Sequence, residues 1–160
     1  MPAPPARTFS RLGDDLALTR FVGTPSAVPL ASADSWGSLD LAVVPGRAAT
    51  DDLGAVHARD TLGQALILRL LTPRGSLAPL GHPEYGSRLV ELIGRRNDEA
   101  TRNLVRLHTL DALGQEPRVQ AVVGLDVQPA PGQPDTVLLS LAVRPVDDAS
   151  PLALSLEVAL

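Results

Sequence analysis

The stretch Gly114-Gln115-Glu116-Pro117-Arg118-Val119-Gln120 divides two kinds of sequence. Before it, apolar residues recur at helical spacing; after it, they alternate. Gly114 fits the left-handed position that closes a helix, and Pro117 blocks any continuation. Pro117 also biases Glu116 towards extended backbone and removes one backbone donor. Two readings of the corner are open. It is either a helix stop with two solvated charges, or a rigid surface, Glu116-Pro117-Arg118, that a partner reads at little entropic cost.

Upstream of the corner, Asn97 or Asp98 caps a helix with acids in its first turn, which suits the helix dipole. Ala100, Leu104, Leu107, Leu110 and Leu113 form its apolar stripe. A shorter helix is expected over Ser87 to Ile93, with Leu89, Leu92 and Ile93 on one side. Leu77 to Gly86 reads as an irregular connection, because it holds two prolines and two glycines. The other main helix runs from Leu62 to Leu71, capped by Asp60 or Thr61 and stopped by Pro73 and Gly75. Only Gln64 and Arg69 in it are strongly polar. Such a helix is buried on most faces, either as the core of this chain or under partner chains.

Downstream, Val119, Ala121, Val123, Leu125 and Val127 share one face of a strand. Val137, Leu139, Leu141 and Val143 line a second strand after a Pro- and Gly-rich turn. Leu152, Leu154, Leu156, Val158 and Leu160 alternate in a third. The three read as an antiparallel meander with one covered face. A long apolar strand at a sheet edge is a liability, blunted here only by Glu157. It is either tucked inside the sheet or left open for a strand of another chain.

Residues 1–35 read as an extended arm and residues 36–59 as a strand or hairpin extension. In the extension, Leu39, Leu41 and Val43 alternate ahead of a Pro45-Gly46 turn, and Leu53 to Val56 are the pairing candidates. Residues 60–160 form the main domain. The fold class is therefore α+β: an extended arm, two main helices plus a short one, and a small mostly antiparallel sheet with a C-terminal edge strand.

Composition narrows the functions. The 160 residues are 44 % hydrophobic and 20 % charged, ordinary for a globular domain. With net charge −4 and aromatics limited to Phe9, Phe21, Trp36 and Tyr85, nucleic-acid binding is not expected. There is no cysteine, so no disulfide framework and no thiolate metal site. No apolar run reaches the roughly 18 residues of a membrane span, and the N-terminus lacks the apolar core of a secretion signal, so cytoplasmic synthesis is expected.

The search for chemistry finds little. His57, His82 and His108 lie 25 and 26 residues apart, without metal-ligand spacing. A nucleophile elbow and a phosphate loop are both missing from the sequence, which has no Lys. Glu84 and Glu91 are the acids a glycosidase reading would use, but surface acids of this kind are common. Arg88, Arg95, Arg96, Arg102 and Arg106 make a basic stretch interleaved with Glu91, Asp98 and Glu99, which reads as a solvated face. No cofactor is expected.

Three features occur in order: a helix ending in Thr72-x-x-Gly75, a Pro83-x-Tyr85-Gly86 step, and Glu116-Pro117-Arg118 ahead of a small sheet. This pattern resembles the baseplate wedge and sheath-initiator family of contractile tails, which includes small phage baseplate proteins and TssE of type VI secretion. The resemblance spans residues 60–160. It implies a non-enzymatic component of a phage tail, a type VI system or a phage-derived injection particle. It further implies that Glu116, Pro117 and Arg118 dock on wedge proteins, and that Leu152, Leu154, Leu156, Val158 and Leu160 form the strand on which sheath subunits pair. Six copies in a sixfold baseplate would follow, with the inner tube or hub as a further candidate partner. A tail-associated, lysozyme-like peptidoglycan hydrolase is the alternative.

Overall fold

The computed structural model describes residues 12–16, 18, 28–30, 43–45, 51–146 and 148–160. The expected strand residues Leu39 and Leu41 and most of the arm lie outside these. Among the described residues, five short strands come first: β1 (Asp14–Leu16), β2 (Val28–Leu30), β3 (Val43–Pro45), β4 (Asp51–Leu53) and β5 (Ala55–His57). Helix α1 (Arg59–Leu71) and helix α2 (Glu99–Gly114) follow, with 3-10 turns at Ala78–Leu80 and Leu89–Leu92 between them. The chain closes with β6 (Val119–Pro129), β7 (Thr136–Pro145) and β8 (Leu152–Ala159). The architecture is α+β, as the patterning implies.

The three long strands form the expected antiparallel meander, with Leu139 opposite Leu156 and Leu141 opposite both Leu154 and Leu125. Val137, Leu139, Leu141, Val143, Leu154, Leu156, Val158 and Leu160 are all buried on one face. Both helices pack on the sheet, α1 against β8 and α2 against β6. Gly63 of α1 sits over β8, where a Cβ would lie 3.5 Å from the Leu154 side chain.

The C-terminal strand is not a bare edge. The sheet order is β2-β8-β7-β6, and β2 pairs parallel with β8 from Val28 opposite Leu156 to Leu30 opposite Val158. A segment of the arm thus supplies the neighbour that the sequence pattern could not reveal, because three residues carry no periodicity. The hairpin also shifts: Val43 to Pro45 pair with Asp51 to Leu53. Residues 55–57 instead pair with β1.

α1 is buried by its own chain at nine of its 13 residues. Coverage by partner subunits is therefore not needed to explain its apolar character. It starts one residue before the expected caps, at Arg59, after Ala58 with φ 50° and no side-chain cap. The entry is fixed from outside, by Ala58 N donating to Gly13 O at 2.9 Å. The Thr61 hydroxyl donates back to Val56 O at 3.0 Å instead of capping.

α2 is capped by Asp98, which accepts from Thr101 N at 2.8 Å. Its buried face is Thr101, Val105, Thr109, Ala112 and Leu113, about one position round from the expected stripe. Leu104 is only partly buried, Ala100 is exposed, and Leu107 and Leu110 are 59 % and 45 % exposed. Gly114 is not left-handed; it ends the helix and Gln115 caps it with φ −90°. In β6, register irregularities after Val119 and after Val122 break the alternation. Val119, Val122, Leu125 and Val127 pack on the core, whereas Val123 is exposed. The expected helix at Ser87 to Ile93 is a 3-10 turn, and Ile93 faces solvent.

Candidate functional site

The loop after α1 folds back on itself. The Thr72 hydroxyl donates to Leu68 O at 2.7 Å, closing the helix. Ser87 N then donates to Thr72 O and Arg74 N to Ser87 O, both at 2.8 Å, so Pro73 and Ser87 form a parallel bridge. The Ser87 hydroxyl also reaches Leu70 O, at 2.6 Å, which ties this residue to the bridge and keeps it out of a regular helix. Gly86 is required at the crossing. Its φ is 105°, and a Cβ would stand 2.5 Å from Thr72 O. Gly75, at φ 83°, accepts the second close pass, its N–H donating to Tyr85 O at 3.3 Å. The Thr72–Gly75 and Pro83–Gly86 motifs are thus the two sides of one clasp.

The clasp places Tyr85 over α1. The Arg69 guanidinium carbon lies 4.4 Å from the Tyr85 ring centroid, a cation–π contact. Arg69 is only 8 % exposed and needs an anionic partner. The corner after α2 supplies it. Val119 N donates to Glu116 O at 3.0 Å, so residues 116–119 make a turn with Pro117 in its second position, where a fixed φ is favourable. The Glu116 side chain turns inward and is 6 % exposed. It accepts from Arg69 Nη2 at 3.3 Å and from Arg118 Nε at 2.6 Å. Arg118 also donates through Nη1 to Leu12 O at 3.2 Å, which pins the N-terminal segment.

Burial pushes the Glu116 carboxyl up, but the hydrogen bonds and charge of Arg118, with the charge of Arg69, outweigh it and hold the group below its ordinary value. The same contact with Glu116 raises Arg118. Burial raises the Tyr85 hydroxyl. Breaking a buried pair of this kind costs about 3–5 kcal/mol, because a charge is left uncompensated. The Glu116 carboxylate is therefore an internal clamp. Of the corner, Pro117 is exposed and Arg118 partly so.

The three motifs read from sequence meet here, through a residue that the sequence reading noted as polar but gave no role. Arg69 links Tyr85 to Glu116. The signal for it was present: a lone arginine in the apolar run from Leu62 to Leu71, one turn before Thr72. Beside it opens a pocket of about 640 Å³ lined by Arg69, Arg74, His82, Glu84, Tyr85 and Gln115, with Gly81 and Pro83. Arg74 is ion-paired to both Glu84 and Asp111. Arg69 Nε is buried without a hydrogen-bond partner among the described residues.

The other candidates are dispersed. Glu84 pairs with Arg74 and Glu91 with Arg88, and their side chains are 73 % and 56 % exposed. Among the described residues no cluster of His, Asp or Glu could hold a metal ion. His57 pairs with Asp14 at 2.9 Å, His82 borders the pocket, and His108 is partly buried on α2. The basic stretch is not one free surface. Arg102 donates to Asn97 Oδ1 at 2.9 Å and Arg106 to Val127 O at 3.1 Å, while Arg95 and Arg96 are exposed. On β8, Leu154, Leu156 and Val158 are buried in the core, as is Leu160 just past its end, and Leu152 is partly buried. No described helix is long and apolar enough to cross a membrane.

No family model and no curated protein matches this chain. Among solved structures, a candidate tail lysozyme from Geobacter sulfurreducens superposes with a TM-score of 0.57. The match covers 66 % of this chain and 93 % of that one at 18 % identity, so what the two share is the fold.

Proposed function

We propose that the chain is a non-catalytic baseplate component of a contractile, tail-like particle, docking on wedge proteins and receiving the first sheath subunits. The observation that carries this reading is the convergence of Thr72–Gly75, Pro83–Gly86 and Glu116–Arg118 on one clamp. Three motifs scattered along the sequence have a common purpose when they build one surface, and a docking surface is the use that the family resemblance gives it. The fold likeness to a protein named for a tail agrees with it. In this reading the wedge meets Pro117, Arg118 and the rim of the adjacent pocket, while Glu116 holds them in place from inside.

Sheath pairing belongs to the same proposal. Among the described residues, β8 has β7 on one side throughout but β2 on the other only at Leu156 to Val158. A sheath strand would extend alongside Leu152 to Ser155 or replace β2.

The test is co-purification of tagged protein from its own cells, wild type beside a Pro117→Asp variant, which alters an exposed position. Capture of wedge and sheath proteins by wild type, with loss of the wedge proteins from the variant, is expected. Capture of no tail protein by either would sink the proposal. The name of the Geobacter neighbour favours a second reading, peptidoglycan hydrolysis. Glu84 and Glu91, the acids it would use, are exposed and each is paired with an arginine. Release of soluble fragments from purified peptidoglycan would establish that reading instead.

A further inference from the structure

We propose that β2 is a removable guard on the edge of β8. The strand that takes its place is an extended segment of a sheath subunit, apolar at alternate residues and with a Lys or Arg opposite Glu157. The inference rests on the sheath-pairing reading and adds how that edge is closed and what opens it. It starts from the two ends of the sheet, whose order is β2-β8-β7-β6. At β6 the edge is blunted by the folded domain itself. Two register irregularities disturb that strand, and Arg106 Nη2 donates to its Val127 O at 3.1 Å. At the other end, β8 follows β7 in unbroken register from Leu152 to Ala159. Among the described residues, its outer side is met by β2 alone, over Leu156 to Val158.

β2 is a weak cover. It pairs in parallel over three residues, and parallel pairing is slightly less stable per residue than antiparallel. Its central residue, Pro29, has no backbone N–H. Where that position faces β8, the ladder lacks a bond; where it faces outward, the new edge has no donor for a further strand. Upstream, the arm is held firmly, since Gln64 accepts from Leu18 N at 3.0 Å and donates to Leu16 O at 2.8 Å. A β2 that lets go therefore stays tethered and covers the edge again when the partner leaves.

A longer strand does better. β8 has eight residues, so a segment of that length pairs with Leu152 to Ser155 as well as with the three that β2 covers. Register dictates its chemistry. Positions across from Leu154, Leu156 and Val158 lie on the core side, where these three are buried, and call for apolar residues. Glu157 belongs to the other face, is partly buried, and stands opposite the uncharged Leu138 of β7. A cation directly opposite it on the incoming strand makes the favourable cross-strand pair.

The experiment is a titration of the full chain against a dye-labelled, capped peptide as long as β8, read by fluorescence anisotropy. In the peptide, valine alternates with threonine, and one central threonine is replaced by arginine. Val28→Gly/Leu30→Gly weakens β2 without touching β8. It should bind the probe about tenfold more tightly than wild type, as expected of an edge that is open about one time in ten. A probe with glutamate in place of the arginine should bind that variant about fivefold more weakly. The chain has no cysteine, so Pro29→Cys with Glu157→Cys can be oxidised to lock β2 onto β8. The oxidised form should lose the probe and the reduced form bind it. Equal affinity in wild type and the glycine variant, no binding to that variant, equal affinity for the two probes, or binding to the oxidised form overturns the proposal. Sheath pairing itself is judged by co-purification, so any of these results with sheath proteins still captured by wild type refutes the guard alone.

Discussion

The two main helices have similar leucine-rich sequences and opposite surroundings. α1 buries nine of its 13 residues, including Leu62, Leu66 and Leu70. α2 buries five of 16 and leaves Leu107 and Leu110 largely in solvent. The difference lies in position on the sheet. α1 has β8, β5, α2 and the 89–92 turn against it, whereas α2 has β6, α1 and the same turn and leaves one side open. The clamp joins the two, since Arg69 belongs to α1 and Glu116 lies two residues past the end of α2. Apolar content alone therefore does not tell how deeply a helix is buried; the number of elements packed around it does.

Breaking the link between the helices should have the largest effect. Glu116→Ala strands Arg69 and is expected to cost about 3–5 kcal/mol of stability, read by urea unfolding. A loss under about 1 kcal/mol would show that water or a rearranged side chain rescues Arg69. Next comes the core of α1, where Leu66→Ala should cost about 2–5 kcal/mol through the cavity it leaves. Gly86→Ala forces a side chain into positive φ against Thr72 O and should cost about 1–3 kcal/mol. It should also weaken the Tyr85–Arg69 contact, which tyrosine fluorescence would follow.

The pH dependence sharpens the same comparison. Glu116 titrates below its ordinary 4.5 when folded, so the unfolded chain takes up the proton first. Its contribution is complete above pH 4.5 and is lost as pH falls through the lower folded value. Asp98 and Asp148 are lowered as well, chiefly by accepting backbone hydrogen bonds from Thr101 and Ser150, and add in the same direction. The part due to the clamp is the part that Glu116→Gln removes, so unfolding midpoints measured from pH 7 down to 3 should fall less steeply in that variant. On α2, burial holds His108 below 6.5, so protonating it adds a separate loss that begins in milder acid. The smallest effect is expected on the outer face of α2: Leu107→Ala should change stability by no more than about 0.5 kcal/mol.

Much of the fold was legible. The alternation in residues 137–143 and 152–160 defines two strands with their buried faces, and Asp98 marks the start of α2. The clasp was legible as glycines and prolines at fixed spacing, though not as one place. What misled was local. Leu107 and Leu110 fit a helical stripe as well as Thr101 and Val105 do, because a 3.6-residue period cannot say which of two neighbouring faces meets the sheet. Val123 was misplaced by register irregularities that leave no mark in the pattern.

The sequence by itself determined the two main helices and the three long strands and about where they stop, since periodicity, caps and proline are properties of adjacent residues. Only the tertiary structure decided what the charges do. Arg69 and Glu116 stand 47 residues apart, and Arg118 and Leu12 stand 106 apart. Whether a carboxylate at a helix corner faces water or a buried arginine depends on which distant segments pack there. The energy of that choice comes from desolvation and pairing, and neither is encoded in neighbouring residues.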